Sequence, residues 1–143
     1  MKILVAPKNA KKTILRFYKS QHYSASFLGI DHCYYIQDKN EVVASVIISK
    51  IEQNSHYSFL HALVVKSAYQ HRGLATKMLT FVQECHRPIV CFAHVEMTEL
   101  YTKKAKMIKL KEQDVITELP KHLKGRLISY KKKQPQLQVF ISQ

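Results

Sequence analysis

The chain has 143 residues, of which 46% are hydrophobic, and its formal net charge is +13. This composition excludes a largely disordered chain and allows one domain with a sizeable core. No apolar run reaches the roughly 18 residues of a membrane span, and the apolar start is too short for a secretory signal, so no membrane association is expected. Three cysteines without a C-x-x-C spacing favour a reducing, cytoplasmic setting and no metal site.

The charge is concentrated at the two ends of the chain. Residues 1–20 carry six basic and no acidic side chains, residues 21–102 carry six and seven, and residues 103–143 carry eleven and three. Two interpretations remain open. The charges are either solvated faces that aid solubility, or they attract an anionic partner such as a nucleotide cofactor, RNA or an acidic protein.

The first half of the chain predicts a short strand, one helix and an antiparallel meander. Asn9 is expected to cap the helix, which begins near Ala10 and places Ile14, Leu15, Phe17 and Tyr18 on one side. A hairpin turn is expected at residues 38–41, with Asn40 in a left-handed conformation. The predicted strands are residues 3–5, 33–37, 42–51 and 57–65, with a second turn at 53–55 and irregular structure at 20–31.

The second half changes to helical spacing from Gly73 onward. The predicted helices are residues 73–85, 97–106 and 118–132, with Leu100 and Tyr101 facing inward in the second and Pro120 in the first turn of the third. The predicted strands are residues 89–93, 107–110 and 137–141. A meander followed by alternating strands and helices predicts an α+β fold organised about one sheet.

The segment around Gly73 has the properties of an anion site. A strand ends in a turn of pattern Gln-x-x-Gly-x-Ala that opens a helix, whose first N–H groups lack intrahelical partners and carry partial positive charge. Gly73 allows close approach of a phosphate, while Arg72 and Lys77 add charge and Thr76 adds a hydroxyl. A pyrophosphate fits such a turn. The alternative is an ordinary strand–turn–helix corner. A dinucleotide-binding fingerprint is disfavoured because a further Gly and a downstream acidic residue are missing.

This stretch resembles the acetyl-CoA-binding motif of the GNAT superfamily. Val65, Tyr69, Gln70, Gly73 and Ala75 are in register with that motif, and residues 34–49 and 89–106 resemble its flanking elements. The resemblance implies an acetyl-CoA-dependent N-acetyltransferase with a single GNAT-like domain over residues 1–143. It also implies a central mixed, mostly antiparallel sheet flanked by helices. Many members of the family have a Gly-Phe pair after the tyrosine. Here Ala105 stands in the place of the Gly, and Met107 stands one residue after the place of the Phe.

The resemblance also implies roles for individual residues. Tyr101 stands in the place of the family's catalytic tyrosine and is the candidate acid. His61 lies on the strand before the turn and is the candidate base, because strand alternation would place it on one face with Leu63 and Val65. Packed core or solvent-facing roles remain open for both residues. The residues expected to bind the cofactor are Leu63, Val64, Val65, Gln70, His71, Arg72, Gly73, Leu74, Ala75, Thr76 and His94.

Three functions remain open at this stage. The first is acetyl transfer to an amine of a small molecule or protein, and the basic C-terminal third favours an acidic acceptor. The second is a CoA-sensing regulatory module without catalysis, and the third is an RNA- or tRNA-directed protein, whose affinity would fall steeply with salt. Few aromatic residues are interleaved with the basic ones in residues 103–133, which disfavours stacking on single strands. The sequence also leaves a homodimer open.

Overall fold

The computed structural model describes residues 1–50 and 56–143. The chain divides into two compact units, one of Met1–Ser49 with Leu60–Phe81 and one of Lys50–Phe59 with Val82–Gln143. The predicted turn at residues 53–55 and the end of the predicted strand at residue 51 lie outside the described residues. No helix in the described part of the chain is long and apolar enough to cross a lipid bilayer.

The described residues form seven strands and four α-helices. The strands are β1 (Ile3–Val5), β2 (His32–Asp38), β3 (Glu41–Ser49), β4 (Ser58–Val65), β5 (Ile89–His94), β6 (Ile108–Lys109) and β7 (Leu137–Ser142). The helices are α1 (Lys11–Ser20), α2 (Leu74–His86), α3 (Glu112–Glu118) and α4 (Lys121–Lys133).

The strands belong to one sheet with the order β1-β2-β3-β4-β5-β7-β6. The pairs β1–β2, β2–β3, β5–β7 and β6–β7 are antiparallel. β4 and β5 are connected through α2, the long crossover that parallel neighbours require. The sheet is therefore mixed and mostly antiparallel, and the predicted fold class is confirmed.

In the first unit, α1 buries the face that its spacing predicted. Ile14, Phe17 and Tyr18 are buried with Ile47 of β3 in one apolar cluster, and Leu15 is half-buried. β2 and β3 form a hairpin in which Asp38 pairs with Glu41. The two turn residues between them, Lys39 and Asn40, have φ of 53° and 66°. Both positions are left-handed, as a type I′ hairpin turn requires, and the expectation for Asn40 is confirmed.

The second unit is organised about β7. Residues Ile89 to His94 of β5 pair with Ser142 to Leu137 of β7, and the short β6 pairs with the other edge of β7. Leu119, Leu123 and Leu127 are buried against this sheet in one apolar cluster. Tyr130, near the end of α4, keeps 41% of its surface exposed.

The predicted start of α1 is wrong in detail. Asn9 lies inside a 3₁₀ turn, Lys8–Ala10, and makes no capping hydrogen bond. The N–H of Ala10 donates to the carbonyl of Pro7 at 2.9 Å, which closes that turn and moves the start of the α-helix to Lys11.

The segment 97–106 is not the α-helix that the sequence predicted. A 3₁₀ turn at Val95–Met97 is followed by a π-helix at Leu100–Lys104, where the N–H of Ala105 donates to the carbonyl of Leu100 at 2.9 Å. The hydroxyl of Thr102 donates to the carbonyl of Thr98 at 2.7 Å. A side-chain hydroxyl bonded four residues back distorts a helix, which favours the wider turn here.

The helix predicted for residues 118–132 begins later and is preceded by an unpredicted helix, α3. Pro120 is the N-cap of α4 rather than a residue of its first turn. Leu119 is extended, with φ of −77° and ψ of 137°, because the proline ring excludes the helical conformation from the preceding residue. The helical path is therefore interrupted at residues 119–120.

Candidate functional site

β4 is distorted where the sequence predicted simple alternation. Ala62 has φ of 55°, a left-handed value in the middle of the strand. Its carbonyl accepts a hydrogen bond of 2.7 Å from the buried hydroxyl of Tyr18 on α1. The distortion is a local departure from regular strand geometry, and the expectation that His61 shares a face with Leu63 and Val65 stays a prediction. The last three residues, Leu63, Val64 and Val65, are all half-buried.

His61 forms a close contact with a serine of the neighbouring strand. Its Nε2 lies 2.7 Å from the Oγ of Ser49, the last residue of β3. His61 is half-buried and Ser49 is buried. A hydroxyl at this distance fixes the plane of the imidazole ring, which is the arrangement that a proton-transfer group needs.

The turn after β4 has the predicted form. A 3₁₀ turn, Ser67–Tyr69, is followed by an extended Gln70, whose side-chain amide donates to the carbonyl of Val65 at 3.0 Å. His71 and Gly73 are left-handed, with φ of 63° and 81°, and α2 begins at Leu74. A Cβ built on Gly73 meets no protein atom within 4 Å, so the space in front of this backbone is open.

The predicted phosphate-binding residues are contiguous on this turn and on the first turn of α2. Gln70, His71, Arg72 and Gly73 are exposed, and Ala75 and Thr76 are half-buried. Leu74 is buried, so it can reach a ligand only through its backbone. The first N–H groups of a helix have no intrahelical acceptors, and open space beside a left-handed glycine lets an anionic group such as a phosphate approach them.

Two further predicted residues belong to the second unit. Tyr101 lies in the π-helix, is 6% exposed, and stacks on Phe140 with ring centroids 4.9 Å apart. His94 ends β5, and its Nδ1 accepts a hydrogen bond from the N–H of Glu96 at 3.2 Å. His94 therefore caps the following 3₁₀ turn, which is a structural role beside the predicted one.

Cysteine and metal chemistry are not indicated among the described residues. No group of three His, Cys, Asp or Glu side chains is placed to hold a metal ion in that part of the chain. Cys33, Cys85 and Cys91 are free thiols. Burial raises the pKa of Cys33 and of Cys91, which keeps both protonated at neutral pH and unsuited to nucleophilic attack.

The sequence profile described as the Acetyltransferase (GNAT) family matches residues 4–104. The chain belongs to the GNAT family of N-acetyltransferases. The match includes β4, the turn and the start of α2, and it ends with the π-helix. No curated protein matches the chain in sequence.

Solved structures of GNAT proteins share the fold at low sequence identity. Escherichia coli ElaA has a TM-score of 0.66 and 13% identity, over 78% of this chain and 89% of its own. The GNAT domain of S. lividans PAT has a TM-score of 0.65 and 11% identity, over 98% and 88% of the two chains. N-acetylglutamate synthase from Neisseria gonorrhoeae, complexed with coenzyme A and N-acetyl-glutamate, has a TM-score of 0.63 and 10% identity, over 99% and 35%.

Several site features of this GNAT chain have no clear signal in the sequence. The left-handed Ala62 lies in a run of mainly apolar residues that gives no sign of a bulge. Ser49, the partner of His61, is twelve residues away, and a cross-strand contact of this kind requires the register of the sheet. Tyr69 and Asp38 are 31 residues apart, and their contact also requires the register of the sheet.

Proposed function

We propose that the chain is an acetyl-CoA-dependent N-acetyltransferase that acetylates an amine of a small molecule or protein. The observation that carries the proposal is the turn after β4, with exposed Arg72 and left-handed Gly73 in front of the unpaired N–H groups of α2. Family membership supports the choice of acetyl-CoA, and one GNAT structure of the same fold contains coenzyme A.

The residues that would hold the cofactor follow from this placement. The backbone of residues 70–76 would bind the diphosphate, with Arg72 adding charge and Thr76 a hydroxyl. Leu63, Val64 and Val65 would offer backbone groups to the pantetheine arm, as a strand does to an added strand. His94 is the remaining candidate contact, through the ring nitrogen that does not cap the 3₁₀ turn.

The proposed reaction needs two proton transfers that involve side chains of this protein. One removes a proton from the attacking amine, and the other delivers a proton to the leaving thiolate. Bound acetyl-CoA supplies an activated acyl group as a thioester. We assign the imidazole of His61 to accept a proton from the attacking amine, with the Ser49 hydroxyl on its Nε2 orienting the ring. The phenol of Tyr101 is assigned as the proton donor to the leaving thiolate.

The setting of the reaction is part of the proposal. One GNAT-like domain over residues 1–143 and a cytoplasmic location are proposed, and three free cysteines support a reducing compartment. The acceptor is proposed to be acidic, because residues 103–143 carry eleven basic and three acidic side chains.

Thermal unfolding with and without acetyl-CoA tests the cofactor. At about a hundred times its dissociation constant, a ligand stabilises the folded protein by roughly 2.7 kcal/mol, which corresponds to about 5–10 °C for a chain of this size. Arg72→Glu should abolish the shift, because it reverses the charge on the turn. A wild-type protein that shows no shift at millimolar acetyl-CoA contradicts the proposal.

Tyr101→Phe tests the role of the phenol. Because Phe keeps the ring stacked on Phe140, the variant should bind acetyl-CoA like the wild type and transfer acetyl groups about a hundredfold more slowly. The measurement is release of CoA thiol with a panel of amines, beside calorimetric binding of acetyl-CoA. Unchanged binding with no turnover in either protein, for any amine, favours the CoA-sensing module instead.

A further inference from the structure

The phosphate turn is tied to the β2–β3 hairpin by two side-chain contacts. The hydroxyl of Tyr69 donates to Oδ2 of Asp38 at 2.7 Å, and the Nζ of Lys66 lies 3.3 Å from Oε2 of Glu41. Asp38 and Glu41 flank the two-residue turn of the hairpin and pair with each other. We call these four residues the hairpin latch. Through these contacts the two-residue turn of the hairpin is joined to the loop that carries the proposed cofactor site.

The latch extends to Arg72 through an aromatic contact. The guanidinium carbon of Arg72 lies 4.9 Å from the centroid of the Tyr69 ring, which is a cation–π distance. Arg72 is exposed, and a free arginine side chain samples many rotamers. A Tyr69 ring fixed by Asp38 restricts those rotamers, and a planar guanidinium stacks on a ring in a way that a lysine ammonium does not.

We propose that Asp38 and Tyr69 are positioning residues, which hold the Arg72 guanidinium ready for the phosphate groups of the cofactor. The inference rests on the proposed function and adds residues to it. Neither Asp38 nor the Tyr69 hydroxyl needs to touch the ligand. Their effect is to reduce the ordering that Arg72 undergoes on binding, which is how preorganisation raises affinity.

The protonation state of Tyr69 is compatible with this role. Its hydrogen bond to Asp38 raises the pKa of Tyr69 above its ordinary value of about 10. The phenol therefore remains a donor to Asp38 at neutral pH, where the phosphate groups of CoA are charged. The bridge between Lys66 and Glu41 is more exposed, so the bond between Tyr69 and Asp38 is the contact to test.

Calorimetric binding of CoA to five variants tests the proposal, with Arg72→Ala alone as the reference for the double variant. Tyr69→Phe keeps the ring and removes the bond to Asp38, and it should weaken binding about three- to tenfold. Arg72→Lys keeps the charge and removes the planar stack, and it should weaken binding by a similar factor. The decisive comparison is Tyr69→Phe made in an Arg72→Ala background, where it should cause no further loss. Tyr35→Phe removes a hydroxyl from β2, which ends in Asp38, and should bind CoA like the wild type.

Steady-state kinetics give a second measurement. A positioning effect on cofactor binding raises the KM for acetyl-CoA and leaves kcat nearly unchanged. Circular dichroism and the midpoint of thermal unfolding establish that each variant folds. If Tyr69→Phe does not fold, Asp38→Ala replaces it, since it removes the acceptor of the phenol proton and leaves the Tyr69 ring in place.

The outcomes separate the two proposals. No CoA binding by the wild type overturns the proposed function. Binding by the wild type with no change in Tyr69→Phe overturns the positioning role alone. An equal loss from Tyr69→Phe with and without the Arg72 side chain also overturns it, because the latch would then act on the loop and not through Arg72.

Discussion

Tyr18 is a buried residue of the first unit that is hydrogen-bonded to the distorted part of β4. It is 1% exposed, and its hydroxyl donates to the carbonyl of Ala62. Burial raises the pKa of Tyr18 far above its ordinary value, since the phenolate would be desolvated. In the unfolded chain the same phenol ionises near pH 10.

This difference predicts a loss of stability at high pH. The raised folded pKa means that the contribution of Tyr18 is fully present below pH 10. It is lost as the pH rises further, because only the unfolded chain releases the proton, with a slope of about 1.4 kcal/mol per pH unit. Tyr18→Phe should lack this part of the slope and should lose about 1 kcal/mol at pH 7, where Ala62 loses its donor. Urea unfolding between pH 7 and 11 measures both effects.

The control for Tyr18 is Tyr130→Phe, since the Tyr130 side chain is partly exposed on α4. This variant should follow the wild-type curve throughout. The buried thiols Cys33 and Cys91, whose pKa values are also raised, contribute equally to all three proteins from about pH 9. Identical slopes for wild type and Tyr18→Phe above pH 10 would contradict the assignment.

At the scale of elements, a buried polar network joins the end of the π-helix to β7. The amide of Gln83 donates to the carbonyl of Ala105 at 2.8 Å and accepts from the hydroxyl of Ser142 at 2.7 Å. Arg87 donates to the same hydroxyl at 3.1 Å. Gln83 is 3% exposed, so neither of its partners can easily find water instead.

Gln83→Ala should therefore lower the free energy of unfolding by about 2–3 kcal/mol, because it leaves a carbonyl and a hydroxyl without their partner. Gln113→Ala is the matched control, since Gln113 is exposed on α3 and its loss should change stability by less than about 0.5 kcal/mol. Chemical denaturation of the three proteins gives the comparison. A loss in Gln83→Ala no larger than in the control would show that water replaces the amide.

Most elements could be predicted from local pattern, and two of the failures, at Ala62 and at the π-helix, share a cause. The hairpin of β2 and β3, the helix α2 and the turn between β4 and α2 follow from periodicity and from Asn40 and Gly73, whose conformations are local properties. The bulge at Ala62 and the π-helix depend on hydrogen bonds that compete with the regular pattern. One of these comes from Tyr18, 44 residues distant, and no local pattern can indicate such a partner.

At the scale of the whole molecule, the net charge of +13 has two possible roles. The basic ends either aid solubility or attract an anionic partner. If the basic ends attract an anionic cofactor, CoA affinity should fall on the order of tenfold between about 0.05 and 0.5 M salt, since exposed charges are screened over a few ångströms at high salt. Changing Lys131, Lys132 and Lys133 to Gln should slow CoA association at low salt only. Stopped-flow binding at both salt concentrations measures this.

A wild-type affinity that does not depend on salt would assign the basic ends to solubility. Equal association rates for the triple variant and the wild type at low salt would restrict any attraction to charges nearer the turn, such as Arg72. The same measurements bear on the acceptor, because an acidic acceptor and the anionic cofactor would be attracted by the same basic side chains.

The π-helix at Leu100–Lys104 has a consequence for aligning this chain with others. A hydrogen bond that spans five residues encloses one residue more than the α-helical bond, so the wider turn absorbs a single-residue insertion with little displacement of the chain on either side. An alignment that assumes an ordinary α-helix through residues 100–104 would therefore be one position out of register on one side of the turn.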